Sequence, residues 1–415
     1  MNNSNPFTSP TFSNYWSEYF SKKKRSFLFL KEVSCYASKI PGVFINTGKN
    51  LTKGISYSIE REQANEIKGK TILLYDVIPS MTSKEVVPPN IGRFTVKQYP
   101  GYAINLERFD SLQDYMSSTF KKSSRYKLKK YKKRLEESFE ISFKSIGPDV
   151  STEEYNQLFE KFKDLLIKRF TEKKVYNNNL DESEWNFYQG VVLPLIRERK
   201  ATLFVLSNKE EPISITLAYF SDDRIFDAIT VFDIDYAKFH LGSVKIMYLI
   251  DWTINNKWNI LDFSKGHFLY KTRWSNEHYN FHYHILYDKS SFFSQLKAYV
   301  LKYFFVLKQY LREKEFNQLL HKLRFFISSN TDKEESELKF SFQTIDAPIS
   351  EKNLIEMNGI DEENIVLKKA VFDFLYLNNE KQDALRIFKT IDKTPAYILQ
   401  GQKKTVALTT FNDLK

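Results

Sequence analysis

At 415 residues the chain is too long for one ordinary domain, and two or three are expected. Its 42% hydrophobic and 16% aromatic content is ample for sizeable cores, which excludes a disordered chain. The net charge of +11 suits nucleic acid, an anionic cofactor or a negatively charged membrane surface, and does not choose among them. Cys35 is the single cysteine, so no intramolecular disulfide or cysteine zinc cluster can form. The first residues are polar, with no apolar leader core, and no run approaches the roughly 18 apolar residues of a spanning helix. A cytoplasmic protein is expected.

Residues 1–14 read as a loose lead-in. Residues 17–38 mix lysines with Phe27, Leu28, Phe29 and Leu30 and read either as a helix or as a short strand. Residues 55–60 and 71–79 have strand patterns, the second an apolar run suited to burial. Pro88 and Pro89 break any helix over 84–92, and 94–98 and 101–105 suggest two more strands. Residues 1–108 therefore read as a unit of their own.

In residues 109–138, Asp110 or Ser111 can cap a helix over 112–120. Residues 121–134 then carry nine Lys and Arg side chains and no acid. Leu128, Tyr131 and Leu135 step by three and four, one apolar stripe on an otherwise cationic helix. Such a run can be a plain solvated face, but nine like charges repel and an anionic partner would relieve them. Phosphate groups, an anionic membrane surface or tRNA would each serve; no DNA is expected.

Residues 140–146 read as a strand. A helix over 152–169 turns Tyr155, Leu158, Phe159, Phe162, Leu165 and Leu166 inward, and a second covers 181–198. Residues 203–207, 213–220 and 224–232 form an antiparallel meander, with the turn signal 208–212 inside it. Next come a loop ending at Gly242, a helix over 243–256 that Ser243 can cap, and a short strand finishing at Asp262 before a turn at Gly266. Strand, glycine loop and helix N-terminus together make an anion cradle, because unpaired amides and the helix dipole favour phosphate there. A strand over 281–287 closes the region.

Residues 291–328 read as a long helix whose seam is Phe293, Leu296, Val300, Tyr303, Leu307 and Tyr310, buried against the preceding domain or lying on a membrane. Residues 330–337 are a polar linker. Residues 338–415 read as a small α+β piece of unknown role, with a hairpin at 396–399 and 405–410.

Three segments together resemble the GNAT superfamily of acyltransferases. More narrowly they are similar to its BioF2-like, CelD/BcsL-like branch, related to the FemAB aminoacyl transferases. They are the basic stretch 124–135, then 232–236 with Leu241 and Gly242, then 261–266 with Tyr270, Lys271 and Trp274. The resemblance covers 109–287 well, the N-terminal unit weakly and 338–415 not at all. It implies an α/β (α+β) chain of tandem GNAT-like lobes with mixed, largely antiparallel sheets. The lobes would be 1–108 (degenerate) and 139–290 (catalytic), joined by the basic helix 109–138 and followed by a helical extension, 291–330, and a C-terminal piece, 331–415.

The resemblance also implies direct transfer of an acetyl or longer acyl group from acetyl-CoA or another acyl-CoA to an amine. The acceptor would be a small molecule, sugar or lipid precursor. Phe232, Leu241, Gly242, Ser243 and Val244 would hold the donor. Asp262, Tyr270, Lys271 and His267 would act on acceptor and leaving group, with Asp233 and Tyr236 shaping the loop. Gly242 is alone where the family's phosphate loop has several glycines, so an aminoacyl-tRNA donor is the first rival. A non-catalytic scaffold, peripheral at the inner membrane face, is the second. His278, His282 and His284 lie close in sequence but have no acidic or cysteine partner at ligand spacing, and no metal is expected.

Overall fold

The computed structural model describes residues 5–21, 26–31, 33–49, 51–59, 62–81, 87–172, 178–314, 338–345, 354–357, 365–391 and 397–412. Its first segment is no loose lead-in. A 3-10 turn at Pro6–Thr8 runs into helix α1 (Pro10–Phe20), whose Ser9 side chain accepts from the Phe12 amide. Phe7 and Phe12 are fully buried, and Phe7 meets Tyr219 and Phe226 edge to face at 5.0 and 5.6 Å. Burial of aromatic rings at about 2–3 kcal/mol each outweighs the polar composition that suggested a tail.

Strands β1 (Ser26–Leu30) and β2 (Val33–Ala37) form a hairpin where a helix or a strand was open. β3 (Val43–Asn46) follows and pairs in parallel with β4 (Thr71–Val77). Between them, 55–59 makes only isolated bridges, Ile55 to Val77 and Ser58 to Lys31, rather than the expected strand; residue 60 lies outside the described residues. The two strands expected over 94–98 and 101–105 are one, β5 (Ile91–Asn105). Pro100 is tolerated inside it because the ladder slips there.

The second lobe begins with α2 (Leu112–Thr119) and the basic helix α3 (Lys122–Ser138), which buries Leu128 and Leu135. β6 (Ile141–Ser145), α4 (Thr152–Glu172) and α5 (Glu182–Arg197) follow, and α4 buries all six residues of its predicted stripe. The meander is β7 (Ala201–Asn208), β8 (Glu211–Ser221) and β9 (Arg224–Phe232). A 3-10 turn (Ile234–Phe239) leads to α6 (Leu241–Asn255), then β10 (Ile260–Lys265), the short α7 (Leu269–Trp274) and β11 (Glu277–Asp288).

Eleven strands form one sheet in the order β1-β2-β3-β4-β11-β5-β10-β9-β8-β7-β6. Each lobe is an antiparallel meander closed by a parallel pair, β3 with β4 and β9 with β10. Each then sends its last strand into the other: β11 lies beside β4, and β5 beside β10. The repeat extends to backbone detail, since Asp76 in β4 and Ser264 in β10 are both left-handed, at φ 58° and 60°. This α+β architecture of two similar lobes on a mixed, largely antiparallel sheet matches the sequence expectation, although no repeat is visible in the residues themselves.

Helix α8 (Phe292–Glu313) reverses the expected seam. The face that packs is Ser294, Ala298, Leu301, Phe305 and Gln309. Phe293, Leu296, Val300, Tyr303, Leu307 and Tyr310 are all exposed, Phe293 at 69%. Small residues at 294 and 298 let the helix approach β11 and β4 closely, so the bulkier stripe is left outward. Residues 315–337, including the expected linker, lie outside the described residues.

The C-terminal piece has β12 (Leu338–Thr344), β13 (Leu354–Met357), α9 (Ile365–Asn378), β14 (Arg386–Thr390), β15 (Tyr397–Gln400) and β16 (Thr405–Asn412). Its antiparallel sheet runs β12-β16-β15-β14-β13, with the expected hairpin as β15 and β16. Helix α9 packs Leu367, Val371 and Phe374 into one cluster with Phe139, Tyr236 and Phe239, the residues around the loop that precedes α6.

Candidate active site

β9 and β10 pair only from Arg224 to Phe226 and from Ile260 to Asp262. Beyond that point both depart from regular strand: β9 carries an extra residue, Ala228, against β8, and β10 bulges at Ser264. A bulge re-aims side chains and ends pairing. The wedge that opens between the strands is a cavity of about 600 Å³ closed above by the start of α6.

That start turns free backbone amides toward the cavity. His240 takes the left-handed conformation, φ 51°, that a glycine would otherwise supply, and its carbonyl accepts from the Ser243 and Val244 amides at 2.8 and 3.1 Å. The amides of Leu241 and Gly242 have no hydrogen-bond partner among the described residues. Leu241, Gly242 and Ser243 line the cavity with Phe232, whereas the Val244 side chain is buried behind them. A Cβ on Gly242 would stand 2.9 Å from the Phe232 ring, and the Arg169 guanidinium lies 4.2 Å from that ring's centre. Glycine is required here for close approach, not for its dihedral angles. Tyr131 of α3 stacks on His240 at 3.8 Å, so the basic helix abuts the same loop.

The floor is charged. Lys245, fifth residue of α6, reaches Asp227 at 3.0 Å and the Thr230 hydroxyl at 3.0 Å, and that hydroxyl donates to Asp227 at 2.7 Å. Both charged groups are buried. Burial pulls the Lys245 ammonium below the usual lysine range, Asp227 opposes that, and Arg169 adds to it. Lys271 donates to the Phe263 and Lys265 carbonyls, each at 2.7 Å, and burial brings it to about 8 against the pull of Asp227 and Asp262. Lys53 reaches the cavity from the first lobe. Asp227 is the one carboxylate among the lining residues, beside Lys53, Arg169, Lys245, Lys265 and Lys271. A cavity with this balance attracts anions.

The predicted residues divide. Phe232, Leu241, Gly242, Ser243, Tyr270 and Lys271 meet at the cavity. Asp262 does not line it: fully buried, it pairs with Arg224, takes the Tyr279 hydroxyl on both oxygens at 2.9 and 2.8 Å and accepts the Ser264 amide at 2.7 Å. A carboxylate so saturated fixes the β10 bulge, and has no free lone pair with which to take a substrate proton. His267 is exposed and bonded through Nδ1 to Tyr102, also away from the cavity lining. Asp233 and Asp235 hold Lys168, and Lys368 of α9 reaches Asp235 at 3.7 Å, so the loop is braced by α4 and the C-terminal piece. Tyr236 is buried against Phe372 and accepts from Asn208. His282 and His284 share a face with rings 6.1 Å apart, and His284 meets the Tyr57 hydroxyl. No group of three metal-ligating side chains gathers among the described residues.

Sequence reasoning missed Asp227, Lys245, Arg169 and Lys53. A signal existed for two: an aspartate inside the apolar run 225–232, and a lysine on the apolar face of a helix. Each is costly unless paired, and each implies the other. Lys53 had none, because it arrives from the other lobe.

The family model for an acetyltransferase (GNAT) domain matches residues 122–272, which carry the cavity apart from Lys53 and Trp274. No curated protein matches the chain. Among solved structures, FemX is 9% identical, covering 68% of this chain and 92% of its own, at a TM-score of 0.45. L-PGS from Bacillus licheniformis is 13% identical over 73% of this chain and 98% of its own, at 0.41. A conserved protein of unknown function from Bacteroides thetaiotaomicron VPI-5482 is 10% identical over 69% and 92%, at 0.43. The bulged parallel strand pair and the free-amide helix start both fall inside residues 122–272, the span that is similar to an acetyltransferase (GNAT) domain.

Proposed function

We propose that the protein transfers an acetyl or longer acyl group from CoA to an amine by direct attack. The observation that carries this reading is the pair of unpartnered amides, Leu241 and Gly242, opening into a cationic cavity. The CoA pyrophosphate lies against them and beside Arg169, where charge-assisted bonds to backbone amides are strong. The amine enters as the free base, and Asp227 takes one proton from its nitrogen as the lone pair attacks the thioester carbon. The tetrahedral intermediate collapses, breaking the carbon–sulfur bond, and the departing thiolate takes a proton from the Tyr270 hydroxyl, which solvent restores. Lys271, held by two carbonyls, keeps positive charge beside the developing oxyanion. The left-handed His240 answers the shortage of loop glycines, since it supplies the backbone turn that a second glycine would give.

The test is calorimetric titration with CoA, together with transfer from radiolabelled acetyl-CoA to a panel of amines. Neither binding nor transfer would remove the proposal. An aminoacyl-tRNA donor is a second reading, favoured by the exposed lysines 127, 129, 130 and 133 of α3 near the loop. Co-purified RNA and affinity that falls steeply with salt would select it.

A further inference from the structure

A second cavity, about 590 Å³, occupies the place in the first lobe that the acyl cavity occupies in the second. It lies past the ends of the parallel pair β3 and β4, beside the left-handed Asp76. Lys49, Lys265, Lys308 and Arg312 line it, with Tyr75, Tyr99, Tyr283, Phe304 and Phe305, and no carboxylate is among the lining residues. Lys49 and Lys308 have no acidic partner among the described residues, and burial together with Lys308 draws Lys49 below the usual lysine range. Arg312 lies over the Tyr99 ring, its Cζ 3.8 Å from the ring centre. Lys265 is held by Asp76 at 2.7 Å, but Lys49 and Lys308, gathered with Arg312 in one cleft without an acidic partner among the described residues, call for an anion.

The cavity is continuous with an apolar surface. Phe304, Lys308 and Arg312 belong to α8, and Leu307 and Leu311 line an adjoining groove with them. From there Tyr303, Val300, Leu296 and Phe293 carry the exposed apolar face along the helix. Its charged residues are Lys297, Lys302, Lys308 and Arg312 against a single acid, Glu313. Apolar stripe and basic flank together are the complement of an anionic lipid surface. No described helix is long and apolar enough to cross a membrane, so contact would be with one face. Lys265 lines both cavities and thus stands between an acyl donor on one side and this site on the other.

We propose that the second cavity takes the phosphate-bearing headgroup of an anionic lipid whose chains lie on the exposed face of α8, which docks the protein on a lipid surface that also carries its amine acceptor. The acceptor role rests on the transfer reading above; the lipid site itself does not.

The full chain is floated with vesicles of phosphatidylglycerol in phosphatidylcholine, and with phosphatidylcholine alone. Flotation is expected only with the anionic vesicles, falling as salt is raised. K308E/R312E and, separately, V300S/Y303S should each weaken it at least tenfold, and the second pair should keep wild-type affinity for CoA. With phosphatidylethanolamine added to the anionic vesicles, label from acetyl-CoA should enter the lipid phase. Equal flotation on neutral vesicles would overturn the headgroup site. Displacement by glycerol phosphate without vesicle binding would assign the cavity to a soluble anion. A dimer that buries α8 and does not bind vesicles would assign the face to a second copy. Transfer to soluble amines with no vesicle binding would end the lipid proposal and leave the transferase standing. Vesicle binding without CoA binding would do the reverse.

Discussion

Replacing Asp227 by Asn tests the charged floor of the cavity below α6 with little change of shape. Lys245 then keeps its buried ammonium and the Thr230 contact but loses its counter-charge at 3.0 Å. At an effective dielectric of about 20, a pair at that distance is worth about 5 kcal/mol, and breaking a buried pair from one side costs about 3–5 kcal/mol. For a chain this long roughly 1 °C of Tm follows each kcal/mol, so a fall of about 3–5 °C is expected at pH 7. The sign of the pH dependence is fixed. Burial already depresses the Lys245 pKa, and losing Asp227 depresses it further. Between that value and about 10.4 the unfolded chain holds a proton that the folded variant does not, so the variant gains stability as pH rises. The Tm gap from wild type should therefore close toward pH 10. Transfer should fall about 10²–10⁴-fold with the base removed, while CoA affinity holds or rises in a more cationic cavity. A gap under about 1 °C at pH 7, or transfer within threefold of wild type, would refute both the pairing and the assignment of the base.

G242V forces branched carbons into the Phe232 ring; overpacking of about 1–3 kcal/mol exceeds any gain in helix propensity, and CoA affinity measured by calorimetry should drop at least tenfold. D262N should cost about 3–5 kcal/mol in denaturant unfolding, because Arg224 is left buried and unpaired, and the transfer rate per folded molecule should change less than in D227N. Lys271 titrates near 8 when folded against about 10.4 unfolded, so its charge destabilises the fold below pH 8 and the cost is relieved as pH climbs to about 10. K271M should flatten that rise in stability, by up to about 3 kcal/mol, in melts taken from pH 7 to 10.

The second lobe was legible because its signals are local. The six-residue stripe of α4, the meander and the loop–helix–strand sequence around Gly242 each follow from spacing within a few residues. The first lobe was less so. Phe7 and Phe12 are held by partners more than 170 positions away, and composition alone cannot distinguish an anchored aromatic from a loose one. The seam of α8 was misread for a related reason: periodicity finds the bulkier stripe, whereas close approach to a sheet selects the smaller one, Ser294 and Ala298. Asp262 shows the limit for sites. The strand expected to finish there runs on to Lys265, and the Arg224 and Tyr279 that absorb its charge lie 38 and 17 residues away, so spacing says nothing of saturation.

Because β5 sits in the half built by the later residues and β11 in the half built by the earlier ones, the protein cannot be divided into two working pieces. A fragment ending before α4 would lack the strand that separates β4 from β5, and its complement would lack the one that covers the flank of β10. During synthesis the early half must wait, its sheet ungapped only when β11 emerges, so the large sheet is completed only after Asp288 has been made. Any duplication that gave rise to this architecture has left two copies that are now obligate companions.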